Sequence, residues 1–223
     1  GGIMKYKYRH FNEFIYHVFL ILFGVIMLYP LIWMFFSALK PNVEIFKNIS
    51  LIPQTWTFEN YIGGWQGISG VTYGRFFVNS FLIVFFAVIG NLLSCSLAAY
   101  AFSKLQFPLK NIWFMLMLGT LMLPIHVKLI PQYIMYNQFG WVNTYLPLIV
   151  PKFLATDGFF VFLMTQFMRA LPKEIDEAAI MDGCNEFSMY AKIIMPLSVP
   201  TLVTTSIFTF LWTWNDFFSQ MIY

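Results

Sequence analysis

Charged residues are scarce in this chain. Only 10% of its 223 residues are Asp, Glu, Lys or Arg, whereas about 25% are charged in an ordinary soluble domain. Hydrophobic residues make up 59% and aromatic residues 21%. A water-soluble domain of this size needs more charge to cover its surface, and a disordered tail has few aromatic residues. The composition therefore excludes both classes and predicts that a lipid bilayer surrounds the chain.

Cysteine is almost absent, and neither sign of charge dominates. Cys95 and Cys184 show no CxxC or Cys/His spacing, so we expect no metal site. The 13 basic and 10 acidic residues give a net charge of +3, which provides no case for a nucleic-acid partner. The sequence also lacks a GxxxxGK[ST] phosphate-binding loop. We therefore expect no enzyme activity and no cofactor bound by this chain itself.

Long uncharged runs locate the membrane spans. A bilayer core about 30 Å thick needs about 20 apolar helical residues. We predict an all-α membrane protein, a multi-span helical bundle, with an N-terminal segment at 1–13 and one transmembrane domain at 14–223. The five predicted spans are 14–39, 76–103, 111–128, 153–168 and 193–216. The fourth is less clean than the others, because prolines and the charged residues Lys152 and Asp157 interrupt its region.

The distribution of Lys and Arg predicts the orientation of these spans. The N-terminal segment and the second and fourth connections hold eight of the 13 basic residues. The other two connections are longer and hold five. Because short cytoplasmic loops are enriched in Lys and Arg, we predict a cytoplasmic N-terminus and a cytoplasmic connection between the fourth and fifth spans.

That connection contains a cluster of acidic residues. Five of the ten acidic residues fall between Glu174 and Glu186. Pro172 suits the first turn of a helix, and the acids behind it favour the positive end of the helix dipole. Gly183 is a natural helix stop. The pattern predicts two short helices hinged at Gly183, the second at 185–194; a polar loop is the alternative.

The same segment carries a spaced motif. Glu177-Ala178-Ala179 is followed by three residues, Gly183, nine residues and then Ile193-Ile194-Met195-Pro196. This spacing resembles the EAA loop of the membrane subunits of bacterial ABC importers, whose pattern is E-A-A-x3-G-x9-I-x-L-P. Only Met195 departs from it, and it keeps the size and apolarity of leucine. We call residues 171–196 the acidic segment.

The resemblance extends over nearly the whole chain from Phe14 onward. The stretches similar to carbohydrate-type, maltose-permease-like subunits are Tyr29-Pro30, Ser37–Lys40, Ala98–Ser103, Phe107-Pro108, Ile130-Pro131, Gly140–Tyr145 and Trp214–Phe217. Members of this family normally have six spans, so we expect a sixth beyond Tyr223.

The resemblance implies a function and a set of partners. The chain would be one permease subunit of an ATP-driven importer in the bacterial inner membrane, carrying a carbohydrate, in particular an oligosaccharide. Its partners would be a paralogous permease, two ATP-binding subunits that hold ATP and Mg²⁺, and an extracytoplasmic solute-binding protein. Permeases for glycerol phosphate or polyamine are the alternative within the superfamily, and a secondary transporter is the alternative outside it.

The resemblance also assigns residues that couple the chain to the ATP-binding subunit. Glu177 would be the main polar anchor, Ala178 and Ala179 would be close-packing positions, and Gly183 would form the turn. Acidic side chains around them would suit a basic groove on the partner. The full set of predicted coupling residues is Glu174, Glu177, Ala178, Ala179, Asp182 and Gly183, with Asp176 on the same acidic face.

The residues of a solute pathway are less clearly marked. Threonines at 201, 205, 209 and 213 form a hydroxyl stripe along one helix face, which suits either helix packing or a passage wall. The two aspartates of the outer half suit either a functional site or interfacial solvation, and the tryptophans either a sugar site or an interfacial belt. The candidate pathway residues are Asn79, Asn91, Asp157, Thr205, Thr209, Trp212, Asn215 and Asp216.

Overall fold

A computed structural model describes the backbone of residues 2–47 and 50–223 and the side chains of 13–47, 50–124 and 126–223. The helices are α1 (Gly2–Ala38), α2 (Asn42–Lys47), α3 (Glu59–Gln66), α4 (Tyr73–Ser103), α5 (Lys110–Leu121), α6 (Ile125–Gln138), α7 (Leu146–Ile149), α8 (Gly158–Ala170), α9 (Lys173–Met181), α10 (Glu186–Met189), α11 (Met195–Leu197), α12 (Val199–Trp214) and α13 (Phe217–Ile222). A 3₁₀ turn covers Val150–Leu154 and a π-helical turn covers Tyr190–Ile194. The described residues contain no β-strand, which confirms the predicted all-α class.

The first compact unit is Gly1–Phe76. Its long helix α1 begins at Gly2, within the predicted N-terminal segment, and runs to Ala38. Large apolar side chains along this helix are exposed, for example Leu20 and Ile21 at 64% and 67%. A helix that is apolar all round suits a lipid environment.

The chain after α1 is tied back by polar contacts. Lys40 is buried, and its ammonium group donates to the Ser50 carbonyl. The Asn60 amide donates to the carbonyls of Ala38 (3.2 Å) and Lys40 (2.6 Å). The chain after α1 is therefore held in a defined conformation in this unit, although its helices α2 and α3 are short.

The second unit is Phe77–Tyr223, and its core lies between α4, α8 and the acidic segment. Helix α4 is continuous from Tyr73 to Ser103 and contributes small side chains such as Cys95 and Ala99 to this core. Helix α8 contributes Phe160 and Met164, each at most 1% exposed. The sequence predicts α4 and α8 as spans, and both form this core.

Two predicted spans are bent in the structure. Three stretches are long and apolar enough to cross a bilayer, and there are up to five spans if each bent pair of helices counts as one. The predicted span 111–128 ends at Leu121 in α5, and the chain bends by 104° before α6. Pro124, which has no backbone N–H to donate, precedes α6.

The helices of the last two predicted spans are interrupted near the predicted starts, within the helical stretches Leu146–Ala170 and Glu186–Trp214. Helix α8 begins at Gly158 rather than at residue 153, because Ala155 adopts a left-handed conformation with φ +52°. Helix α12 begins at Val199 rather than at residue 193. A 76° bend separates it from the helical residues before it, and Pro200 in its first turn lacks the N–H that would continue the earlier helix.

Candidate functional site

The acidic segment folds around a glycine turn. Helix α9 follows Pro172 and ends before Gly183, which has φ +77°. The Gly183 N–H donates to the Ile180 carbonyl and the Cys184 N–H donates to the Ala179 carbonyl, both at 3.0 Å. This pair of hydrogen bonds defines a Schellman motif. The motif needs a left-handed backbone conformation at residue 183, which only glycine adopts without a steric cost.

A second, shorter helix follows the turn. The Asn185 side chain caps α10 by accepting a hydrogen bond from the Ser188 N–H at 2.8 Å. The chain then continues through the π-helical turn. Two helices therefore flank Gly183, as the pattern predicts, but the predicted helix at 185–194 is regular only in its first turn.

One side of the acidic segment is exposed and combines carboxylates with large apolar groups. Ile180, Met181 and Phe187 are exposed at 62%, 82% and 74%. A Cβ atom added at Gly183 would meet no atom within 4 Å. The exposed face, as we call it, consists of Glu174, Glu177, Ala178, Ile180, Met181, Asp182, Gly183 and Phe187.

The opposite side packs into the chain itself, which corrects two predictions. Ala179 is only 3% exposed and belongs to the core with α4 and α8, so it is not accessible to a partner in this structure. Asp176 points the same way, because residues three apart share a helix face. Its carboxylate lies 2.7 Å from the Lys104 ammonium, so Asp176 is not part of the exposed acidic face.

The end of α4 makes further polar contacts with the acidic segment. The Tyr100 hydroxyl donates to the Glu186 carboxylate at 2.7 Å. The hydroxyls of Ser96 and Tyr190 are 2.8 Å apart, and the rings of Tyr100 and Tyr190 meet edge to face at 5.4 Å between centroids. Sequence reasoning missed these residues, although the spacing of Ser96, Tyr100 and Lys104 by four placed them on one face of a helix.

A cleft of about 700 Å³ lies elsewhere in the second unit. Its lining is mostly apolar, but we call it the polar cleft because it also contains charged and amide side chains. Its lining includes four of the predicted pathway residues: Asp157, Trp212, Asn215 and Asp216. It also includes Lys152, whose ammonium lies 2.7 Å from the Asp157 carboxylate. Sequence reasoning missed Lys152 as a lining residue because it assigned the lysine only to an outer connection.

The other predicted pathway residues are not in this cleft. Asn91, Thr205 and Thr209 are buried, at 0%, 0% and 1% exposure, and the Asn91 amide donates to the Thr209 hydroxyl at 2.9 Å. These three side chains have almost no exposed surface and pack between helices, whereas Thr213 of the same threonine stripe lines the cleft. Asn79 is half-buried on α4 and does not line the cleft.

The described side chains include no cluster of three or more His, Cys, Asp or Glu residues that could hold a metal ion. Both cysteines are free thiols; Cys95 is buried, whereas Cys184 is half-buried beside the glycine turn.

Comparisons with known proteins identify the family. Residues 90–220, more than half of the chain, match the family described as "Binding-protein-dependent transport system inner membrane component". The chain belongs to this family. The match confirms the ABC importer permease that the spacing from Glu177 to Pro196 predicts.

The probable ABC transporter permease protein YurM of Bacillus subtilis is 36% identical over 207 residues, which cover 92% of this chain and 67% of YurM.

Other members are related along nearly the whole chain. The diacetylchitobiose uptake system permease protein NgcG of Streptomyces coelicolor is 31% identical, over 90% of this chain and 66% of its own length. The sn-glycerol-3-phosphate transport system permease protein UgpE of Yersinia enterocolitica is also 31% identical, over 90% of this chain and 72% of its own. The chain thus spans about two thirds to three quarters of these relatives.

A solved structure shares the fold. It is described as the crystal structure of a bacterial ABC transporter involved in the import of the acidic polysaccharide alginate. The TM-score is 0.84 at 21% sequence identity, and the match covers 96% of this chain and 74% of the other. The arrangement of helices described above is therefore that of an ABC transporter membrane subunit.

Proposed function

We propose that this chain is one permease subunit of an ATP-driven importer and forms half of the pathway for a carbohydrate, specifically an oligosaccharide. The related protein NgcG is named as the permease of a diacetylchitobiose uptake system. The observation that carries the proposal is the acidic segment, which exposes one face and buries the other in the core of the permease.

The proposed mechanism is alternating access with separate partners. ATP and Mg²⁺ bind to two ATP-binding subunits, which close and open the passage outward; hydrolysis resets it. A paralogous permease supplies the other half of the passage, and an extracytoplasmic solute-binding protein delivers the carbohydrate. In this arrangement the N-terminus and the acidic segment face the cytoplasm.

The exposed face is the proposed contact with an ATP-binding subunit. The carboxylates of Glu174, Glu177 and Asp182 suit a basic groove, and Glu177 is the central polar anchor. The exposed apolar side chains beside them add buried area when a partner covers them. Ala178 permits close approach, and Gly183 keeps the turn free of a side chain.

The polar cleft is the proposed part of the pathway wall in this subunit. Trp212 is 52% exposed, and its exposed ring surface is the proposed contact for a pyranose. Asn215, Asp216 and Asp157 provide amide and carboxylate groups that pair with sugar hydroxyls. The ion pair between Lys152 and Asp157 neutralises the one lysine of the cleft.

A glycerol phosphate permease is the second candidate, because UgpE is as similar to this chain as NgcG is. A phosphate needs an uncompensated cation in the pathway. Lys152 is the cation of the cleft lining, and its charge is balanced by Asp157 at 2.7 Å. The charge balance of the cleft therefore favours an uncharged sugar.

Uptake into proteoliposomes tests the proposal. The complete importer, reconstituted with its partner subunits, should accumulate labelled diacetylchitobiose only when ATP is present inside, and sn-glycerol 3-phosphate should accumulate poorly. Trp212→Ala should lower sugar uptake about fivefold, because stacking on an aromatic ring contributes about 1 kcal/mol. Trp214→Ala is the matched control, since Trp214 packs on Phe210 outside the cleft lining. Uptake without ATP, or of the phosphate alone, would refute the assignment.

A further inference from the structure

Three polar side chains form a stripe along the end of α4. Ser96, Tyr100 and Lys104 are spaced by four residues, which places them on one helix face. Lys104 lies one residue beyond α4, but its N–H still donates to the Tyr100 carbonyl at 2.8 Å, so the helical turn continues. At about 1.5 Å per residue, the stripe extends over about 12 Å of the helix axis.

Each member of the stripe holds a different part of the acidic segment. Lys104 pairs with Asp176 in α9, Tyr100 donates to Glu186 at the start of α10, and Ser96 contacts Tyr190 in the π-helical turn. The three distances lie between 2.7 and 2.8 Å. The Ser96–Tyr190 contact is buried, whereas the other two contacts are partly buried.

The ion pair is the strongest of the three links. The side chains of Lys104 and Asp176 are only 9% and 20% exposed. The other carboxylate oxygen of Asp176 is buried without a hydrogen-bond partner among the described residues. Lys104 is therefore the group that compensates this carboxylate, and removing it would leave a partly buried charge unpaired.

The acidic segment is joined covalently to α8 at one end and to α12 at the other. Helix α8 joins α9 through Leu171 and Pro172, both in extended conformations with ψ near +137°. On the other side, a 76° bend around Ser198 separates the segment from α12. These connections reach the acidic segment only at its two ends, whereas α4 contacts it at three points over about 12 Å.

We propose that Ser96, Tyr100 and Lys104 are positioning residues that join the acidic segment and α4 into one rigid body, so that displacement of the segment moves α4. This inference rests on the proposed function, because the displacement would come from the ATP-binding subunits. It assigns α4, a helix distant in sequence from the acidic segment, as the helix through which that displacement enters the bundle.

Distance measurement between spin labels tests this rigid connection. One nitroxide replaces Lys173 on α9 and the other replaces Leu97, which is 49% exposed on α4, after both native cysteines have been changed to alanine. The complete importer in nanodiscs is compared without nucleotide and with Mg-ATP and vanadate. In the parent protein, we expect the same distance in the two states, because α9 and α4 move together.

Charge variants identify the connection. Lys104→Asp and Asp176→Lys should each at least double the width of the distance distribution, and the combined exchange should restore it. Lys192→Asp makes the same change at an exposed lysine that has no ion pair among the described residues, and it should behave like the parent protein. Tyr100→Phe removes one link without disturbing the ring packing and should broaden the distribution less.

A functional readout separates positioning from simple stability. The single charge variants should retain ATP hydrolysis but import about tenfold less diacetylchitobiose per ATP, since directly coupled residues commonly interact by about 1.4 kcal/mol. The inference would be overturned if the single charge variants gave distance distributions as narrow as the parent protein. It would also be overturned if the double variant, with the two charges exchanged, gave a distribution as broad as the single variants. Absence of ATP hydrolysis by the parent assembly would instead refute the proposed function, and the distances would still report on the connection.

Discussion

Replacement of Gly183 is the sharpest test of how the acidic segment is built. Its φ of +77° lies in the left-handed region, and the space around it is open within 4 Å. A side chain there meets no neighbour, so the cost of Gly183→Ala arises from the backbone alone. That cost is about 1–2 kcal/mol, which corresponds to an increase of about five- to thirtyfold in the opening equilibrium of the turn.

Hydrogen exchange measures this opening directly. The amides of residues 183 and 184 form the two hydrogen bonds of the turn, and in Gly183→Ala they should exchange about tenfold faster than in the parent protein. Gly183→Asn should have a smaller effect, because asparagine tolerates the left-handed conformation. Gly119→Ala is the matched control: a Cβ at this helical glycine of α5 also meets nothing within 4 Å, and φ is not positive.

The expected functional effect is uncoupling rather than loss of assembly. A larger replacement such as Gly183→Val should leave the ATP-binding subunits bound and hydrolysing ATP, while uptake of solute falls. If Gly183→Ala exchanged at the parent rate and Gly183→Val transported normally, the roles assigned to the turn would both be wrong.

Two further predictions concern the buried threonines and the loop after α1. Thr209→Val should lower the stability of the protein by about 1 kcal/mol, because the buried Asn91 amide loses its hydrogen-bond acceptor. Thr205→Val should leave the stability unchanged, since the Thr205 hydroxyl has no partner among the described residues. Equal shifts of the thermal unfolding midpoint in the two variants would contradict this prediction. The Gln54 N–H that donates to the Glu44 carboxylate lowers the pKa of Glu44 below 4.5. Because the folded-state pKa is the lower one, the contact stabilises the loop above pH 4.5 and is lost as the pH falls through the lowered value. Protection of the Gln54 amide from hydrogen exchange should therefore fall in acid, and Glu44→Gln should abolish this pH dependence.

Local signals in the sequence were sufficient for the existence of the main elements. Runs without charge marked α1 and α4, because burial in lipid excludes charged side chains over a whole helix. Gly183 marked the turn, since a left-handed residue favours glycine whatever surrounds it. Both features depend on residues close together in the chain.

Features set by distant partners could not be predicted in the same way. The four-residue period of the threonines predicted that they share one face of α12. It did not predict which helix that face packs against, which is α4 at Asn91. Asp176 looked like its exposed acidic neighbours until the fold brought Lys104 beside it. The bend before α12 was also missed, because Pro200 suits the start of a helix as well as the end of one.

Site-specific photocrosslinking tests the central claim most directly. A benzophenone amino acid in place of Glu177, at the centre of the exposed face, should give a covalent product with an ATP-binding subunit in intact cells. The same group in place of Phe46, which is 91% exposed in the connection predicted to be outside, should give none. Crosslinking of the ATP-binding subunit from position 46 and not from position 177 would contradict both the orientation and the coupling role of the acidic segment.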